Sequence, residues 1–189
     1  MVSFLILLAV LGLIFAYGVV LYNHLVALRE NVKKNWANID VLLKQRHDEL
    51  PKLVDTCKEY MGYEQETLRQ VMEARTRVSQ AQQSGDVNEV GKAETQLRMG
   101  LGSLFAVAED YPDLKANDSF QHLAKRITSL EESIADRREL YNSSVNLNNI
   151  RVDQFPDLLI ARFFNFVKSE LLEFSEEEKT DVDVKAMFN

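Results

Sequence analysis

Three histidines, one cysteine and many carboxylates are the side chains from which an active centre in this chain would have to be built. His24, His47 and His122 lie in separate stretches, and none stands in a Glu-x-x-His pair of the sort that helical bundles use for paired metals. A nucleophile elbow, Gly-x-Ser-x-Gly, is missing as well. The segment Gly100-Leu101-Gly102-Ser103 would cradle a phosphate only with a strand before it and a lysine after it, and neither is there. Inside a helical pattern its two glycines instead permit close packing or bending. Cys57 also falls in a helical pattern and has no second thiol to pair with, so it is expected to be a small core residue. The carboxylates are spread over helical faces, where solvation is the default. These residues predict no catalytic, cofactor-binding or metal-binding site, and hence a protein that is not an enzyme.

The elements that would position any site are helices. With 7 Gly and 3 Pro in 189 residues there are too few turn formers for a many-stranded sheet. The net charge of −7 argues against a nucleic-acid binder, which needs a basic face to displace counterions from phosphate.

From Met1 to Asn23 the only ionisable side chains are Tyr17 and Tyr22, and the stretch is apolar almost throughout. Roughly 20 such residues, at about 1.5 Å each, cross a hydrocarbon layer about 30 Å thick. A cleaved signal peptide would want a basic start, a shorter apolar run and a small-x-small cleavage site, so a retained anchor is expected. Arg29, Lys33, Lys34, Lys44 and Arg46 follow the run and nothing basic precedes it, which places the N-terminus outside and the remainder in the cytoplasm. Against Glu30 and Asp40 these five cations leave +3 between Tyr22 and His47. Such a band either attracts anionic headgroups or only sets topology. Gly12 and Ala16 form a small-xxx-small pair that would let two anchors approach.

Beyond the anchor, Leu25, Leu28, Val32, Trp36, Ile39 and Leu43 recur at spacings of three and four, and the stripe resumes at Leu50, Leu53, Cys57 and Tyr60, then Leu68, Val71 and Val78. Pro51 predicts a kink or short break near His47 to Leu50 in what would otherwise be about 90 Å of helix. Ser84-Gly85-Asp86 is a turn. A second stripe, Val90, Leu97, Leu101, Leu104, Phe105 and Ala108, stops at Tyr111-Pro112. Asp118 with Gln121 resembles a capping box opening a third stripe, Phe120, Leu123, Ile127, Leu130, Ile134, Tyr141 and Val145. Arg137 and Arg138 fall at a core position and call for acidic partners, with Glu109 and Asp110 as candidates. The asparagines at 142, 146, 148 and 149 predict a turn. After Phe155-Pro156, a short helix rich in Phe163, Phe164 and Phe166 is expected to seal the bundle end, the alternative being an adhesive surface. From Glu170 seven carboxylates against two lysines give a solvated acidic tail. The expected architecture is all-α: a transmembrane anchor over 1–23, an antiparallel bundle of three to four long helices over 24–169, and a tail over 170–189.

Several of these segments resemble the bacterial LemA family. They are Tyr22-Asn23, Trp36, the run Ile39-Asp40-Val41-Leu42-Leu43-Lys44-Gln45-Arg46-His47-Asp48-Glu49-Leu50-Pro51-Lys52-Leu53-Val54, Ala74-Arg75, the run from Leu104 to Ala116, Arg137-Arg138, Tyr141-Asn142 and Phe155-Pro156. The resemblance implies an N-terminal anchor, a helical domain and the bacterial inner membrane, and it brings no activity or cofactor with it. Asn146 and Asn148 stand where a second Tyr-Asn pair would be expected, and the acidic tail is not part of the likeness. The function expected is a non-enzymatic membrane scaffold that self-associates through its long helices, touching lipid through the anchor and the basic band. The alternative is an adaptor that binds a membrane protein through the aromatic helix and acidic tail.

Overall fold

A computed structural model describes residues 1–173. Six helices follow one another: α1 (Val2–Lys58), α2 (Gln65–Ser84), α3 (Val87–Ala108), α4 (Pro112–Ala116), α5 (Asp118–Asp153) and α6 (Asp157–Phe163). The described residues contain no strand. The chain divides into two compact units, one of residues 1–38 with 137–171 and the other of residues 39–136 with the segment from 172 onward.

The second unit holds the larger core. Ile39, Leu43, Leu50, Leu53 and Cys57 from α1 are buried, as are Leu68, Val71 and Val78 from α2, Val90, Leu97 and Leu104 from α3, and Ile127, Leu130 and Ile134 from α5. Polar contacts fix the directions. Gln82 donates to Asp40 and Arg75 to the His47 carbonyl, so α1 and α2 run antiparallel. Asn117 donates to the Tyr60 hydroxyl and Arg46 to Glu131, which sets α5 antiparallel to α1. Gly85, at φ 73°, closes α2 in the left-handed conformation, and Asp86 caps α3 by accepting from the Asn88 and Glu89 amides at 2.9 and 3.1 Å.

Two local expectations are corrected here, and a third holds at one of its two glycines. α1 does not break at His47 to Leu50; it runs through Pro51 to Lys58, and the reversal comes at residues 59–64, around Gly62. Proline offers no amide to the carbonyl one turn back, that of His47, and the Arg75 guanidinium donates to that oxygen at 2.9 Å instead. The N-cap of α5 is Asn117, not Asp118: its Oδ1 accepts from the Phe120 amide at 3.0 Å. Gly100 does permit close packing, since a Cβ there would lie 3.6 Å from Val71 Cγ2, whereas Gly102 faces open space.

In the first unit α5 continues as helix through the asparagines to Asp153, where a turn was expected. Their amides serve tertiary contacts. Asn149 donates to the Ser169 carbonyl and accepts from the Ser169 amide, both at 2.9 Å, and so satisfies an extended returning segment as a neighbouring strand would. At the start of the stretch expected as an acidic tail, the Glu170 carbonyl accepts from the Tyr141 hydroxyl at 2.9 Å, and in the second unit Leu172 is buried. The remaining tail residues, 174–189, lie outside the described residues.

Candidate functional site

The surface with the most unusual chemistry belongs to the first unit and starts with the apolar half of α1. An 18-residue stretch of that helix has mean hydropathy 2.9 and is only 6% buried. Phe4, Leu8, Leu11, Leu13, Phe15 and Val20 all face outward. By length and composition it can cross a membrane. Gly12 has nothing within 4 Å of where a Cβ would be, so the small face it shares with Ala16 is open.

Near the C-terminal end of this stretch α1 meets α6. Leu25, Val152, Ala161 and Phe166 form a small core flanked by Tyr22, Val26 and Ile160. The Tyr22 ring lies 4.7 Å from that of Phe164 and 5.6 Å from that of Phe166, centroid to centroid, and Ile160 Cδ1 would be 3.9 Å from a Cβ on Gly18. Asn165, in the left-handed conformation at φ 56°, ends α6 and returns the Phe166 amide to the Ala161 carbonyl at 2.9 Å. That turn drives Phe166 under the helix, where the Arg29 guanidinium lies 5.2 Å from its ring centre. Arg151 holds the buried Asp157 carboxylate at 3.3 Å. Further along, Trp36 and Tyr141 meet at 5.3 Å. Burial pushes the Tyr141 phenol above its ordinary pKa, with help from Glu170.

The aromatic segment is not the expected seal. Phe166 is buried, but Phe155, Leu159, Phe163, Phe164 and Val167 are 50–78% exposed. α6 is short and buries one face, through Asp157 and Ala161, and among the described residues none covers the opposite apolar face.

The basic band is also altered. Arg46 is 1% exposed and bridges Glu94 of α3 and Glu131 of α5, the latter at 2.5 Å, within the second unit. Burial alone would lower the pKa of its guanidinium; the two carboxylates outweigh that and hold it above its ordinary value. Arg46 is therefore withdrawn from any headgroup, leaving Arg29, Lys33, Lys34 and Lys44 exposed. Arg29 and Lys33 already engage Glu30. The sequence carried a signal for this: Arg46 sits at the core position between Leu43 and Leu50.

Arg138 is buried and Arg137 exposed, while Glu109 pairs with Lys115. His24 and His122 are exposed and His47 is half-buried. Among the described residues no three His, Cys, Asp or Glu side chains group so as to hold a metal ion. Cys57 is fully buried, as expected, and desolvation pushes its thiol to about 11.

These features define a helical protein that has, among the described residues, one candidate membrane-spanning helix, with further helices after it. Residues 35–186 match the LemA family, and the chain belongs to that family. It is 24% identical over 186 residues to magnetosome protein MamQ 2 of Paramagnetospirillum magneticum, covering 86% of this chain and 68% of that protein. It is 22% identical to magnetosome protein MamQ of Magnetospirillum gryphiswaldense over the same shares. To protein LemA of Metamycoplasma hominis it is 25% identical, over 88% of this chain and 75% of that one. None of these three names is that of an enzyme.

Proposed function

We propose that this protein is a non-enzymatic, membrane-anchored scaffold whose N-terminus lies outside the inner membrane and whose helical domain lies in the cytoplasm, where copies associate through their long helices. The observation that carries it is the exposure of the apolar half of α1, because only lipid or other protein makes so large an oily surface stable. Sidedness rests on the cations that follow the span. Self-association has its own support. On α5, Leu140, Leu147 and Ile150 are 49–58% exposed and recur at seven and three residues, the spacing by which helices make a coiled-coil seam. The open Gly12 and Ala16 face gives the anchors a second place to meet.

Light scattering of the detergent-solubilised chain tests this directly. The wild type should give a mass above that of the monomer that rises with concentration, and Leu140→Lys with Leu147→Lys should give a monomer. A wild-type monomer at every concentration overturns self-association.

A second reading, an adaptor for a membrane protein, is favoured by the exposed aromatics after Pro156. Under it, deleting residues 174–189, which spares the packed Glu170 and Leu172, abolishes partner capture and leaves assembly untouched.

A further inference from the structure

We propose that α6 and its flanks form a second membrane contact: a shoulder of Phe155, Leu159, Phe163, Phe164 and Val167 that lies in the lipid surface beside the anchor. The inference rests on the anchored reading above and extends it, because it assigns to lipid a surface that is distant from the anchor in sequence.

The argument is one of depth. If the apolar run of α1 spans the hydrocarbon, its C-terminal end, around Gly18 to Tyr22, marks the boundary with the headgroups. Tyrosine at that level is the residue expected of an interface. Ile160 Cδ1 would lie 3.9 Å from a Cβ on Gly18, and the Phe164 ring lies 4.7 Å from that of Tyr22, which puts α6 at the same boundary. Gly18 lies one helical turn, about 6 Å, deeper than Tyr22, so α6 straddles the line between acyl chains and headgroups. Phe166 marks the polar side, because the Arg29 guanidinium over its ring belongs among the phosphates.

The shape of α6 fits such a position. One face is taken up by Asp157 and Ala161, buried at 1% each, and the other is apolar and bare. Leu159 and Phe163 stand four residues apart on that bare face at 59% and 78% exposure, and Arg162 is exposed beside them. A helix with its oily side sunk about 5–10 Å and its cation at the phosphates is the form of an interfacial element. A protein partner would have to compete with lipid at that depth.

Spin-label accessibility decides the matter on the full chain in vesicles of phosphatidylcholine and phosphatidylglycerol. Nitroxides are placed at Leu159→Cys, Phe163→Cys and, as an anchor reference, Val10→Cys, each in a Cys57→Ala background. Lipid exposure is read as relaxation by oxygen that exceeds relaxation by a water-soluble nickel chelate several-fold. The expected result is that ratio at both α6 positions, with a larger one at Val10. Chelate-dominated relaxation at the α6 positions alone means that the shoulder stands in water, and it overturns the proposal while leaving the anchor intact. Protection from both reagents means that a protein surface covers the shoulder, which overturns the proposal in favour of a partner or a second copy. A chelate-dominated Val10 overturns the anchored reading and this inference with it.

Discussion

Arg46 occupies a place on the apolar stripe of α1 that a leucine would fill, and its charge is tolerated because Glu94 and Glu131 converge on it. Removing one member of such a buried set leaves the rest uncompensated. Arg46→Ala should therefore cost about 3–5 kcal/mol, read as a lower urea midpoint of the solubilised chain. Replacing Arg46, Glu94 and Glu131 together by apolar residues should recover most of that loss. His47, close by, has its pKa lowered, first by burial and then by Arg75. A base with a depressed folded pKa takes up its proton more readily in the unfolded chain. Stability is then full above the unfolded value, about 6.5, and falls as pH drops from there toward the folded value. Melting temperature should decline as pH falls below about 6.5, and His47→Gln should flatten that decline. Cys57 was legible from its place on a stripe. Arg46 was not, because composition counts a cation as solvated and only its register argues otherwise.

At the scale of elements, the apolar N-terminal helix, the turn at Gly85 and the stop at Tyr111-Pro112 follow from apolar length and backbone chemistry, and they stand where the sequence put them. The departures at Pro51 and at the asparagines share one cause. Pro51 and the asparagines of α5 were judged by what they do to an isolated helix, whereas in the fold a distant partner supplies or uses their hydrogen bonds: Arg75 for Pro51, Ser169 for Asn149. The aromatic helix reads as core because most helical aromatics are buried, whereas here Phe163 and Phe164 are exposed and only Phe166 is buried. The segment after α6 gives a test. A Cβ on Gly91 would lie 2.6 Å from the Glu173 carbonyl oxygen, so one backbone must move. Gly91→Ala should cost about 1–3 kcal/mol and open the chain after Glu170 or Glu173 to a glutamate-specific protease. Gly102→Ala, in the same helix with open space around it, should instead gain about 0.5–1 kcal/mol. Equal effects at the two glycines would show that the returning segment does not rest on α3.

For the whole molecule, attachment to lipid is expected to have two parts of unequal strength. Deleting residues 2–16, which spares Gly18 and Tyr22, should free the chain from membranes under alkaline wash. Weak, salt-sensitive binding to anionic vesicles should remain and be lost with Leu159→Ser and Phe163→Ser. Sedimentation with vesicles measures both. The brace at the proline reaches further than stability. Pro51→Ala restores an amide to the His47 carbonyl and leaves Arg75 redundant there, so Arg75→Met should cost about 1–2 kcal/mol beside proline and close to nothing beside alanine in a double-mutant cycle. Two codons far apart on the message thus behave as one heritable trait: a lineage that gives up the imino acid at 51 is released from keeping arginine at 75, while one that loses the arginine first pays until the other follows.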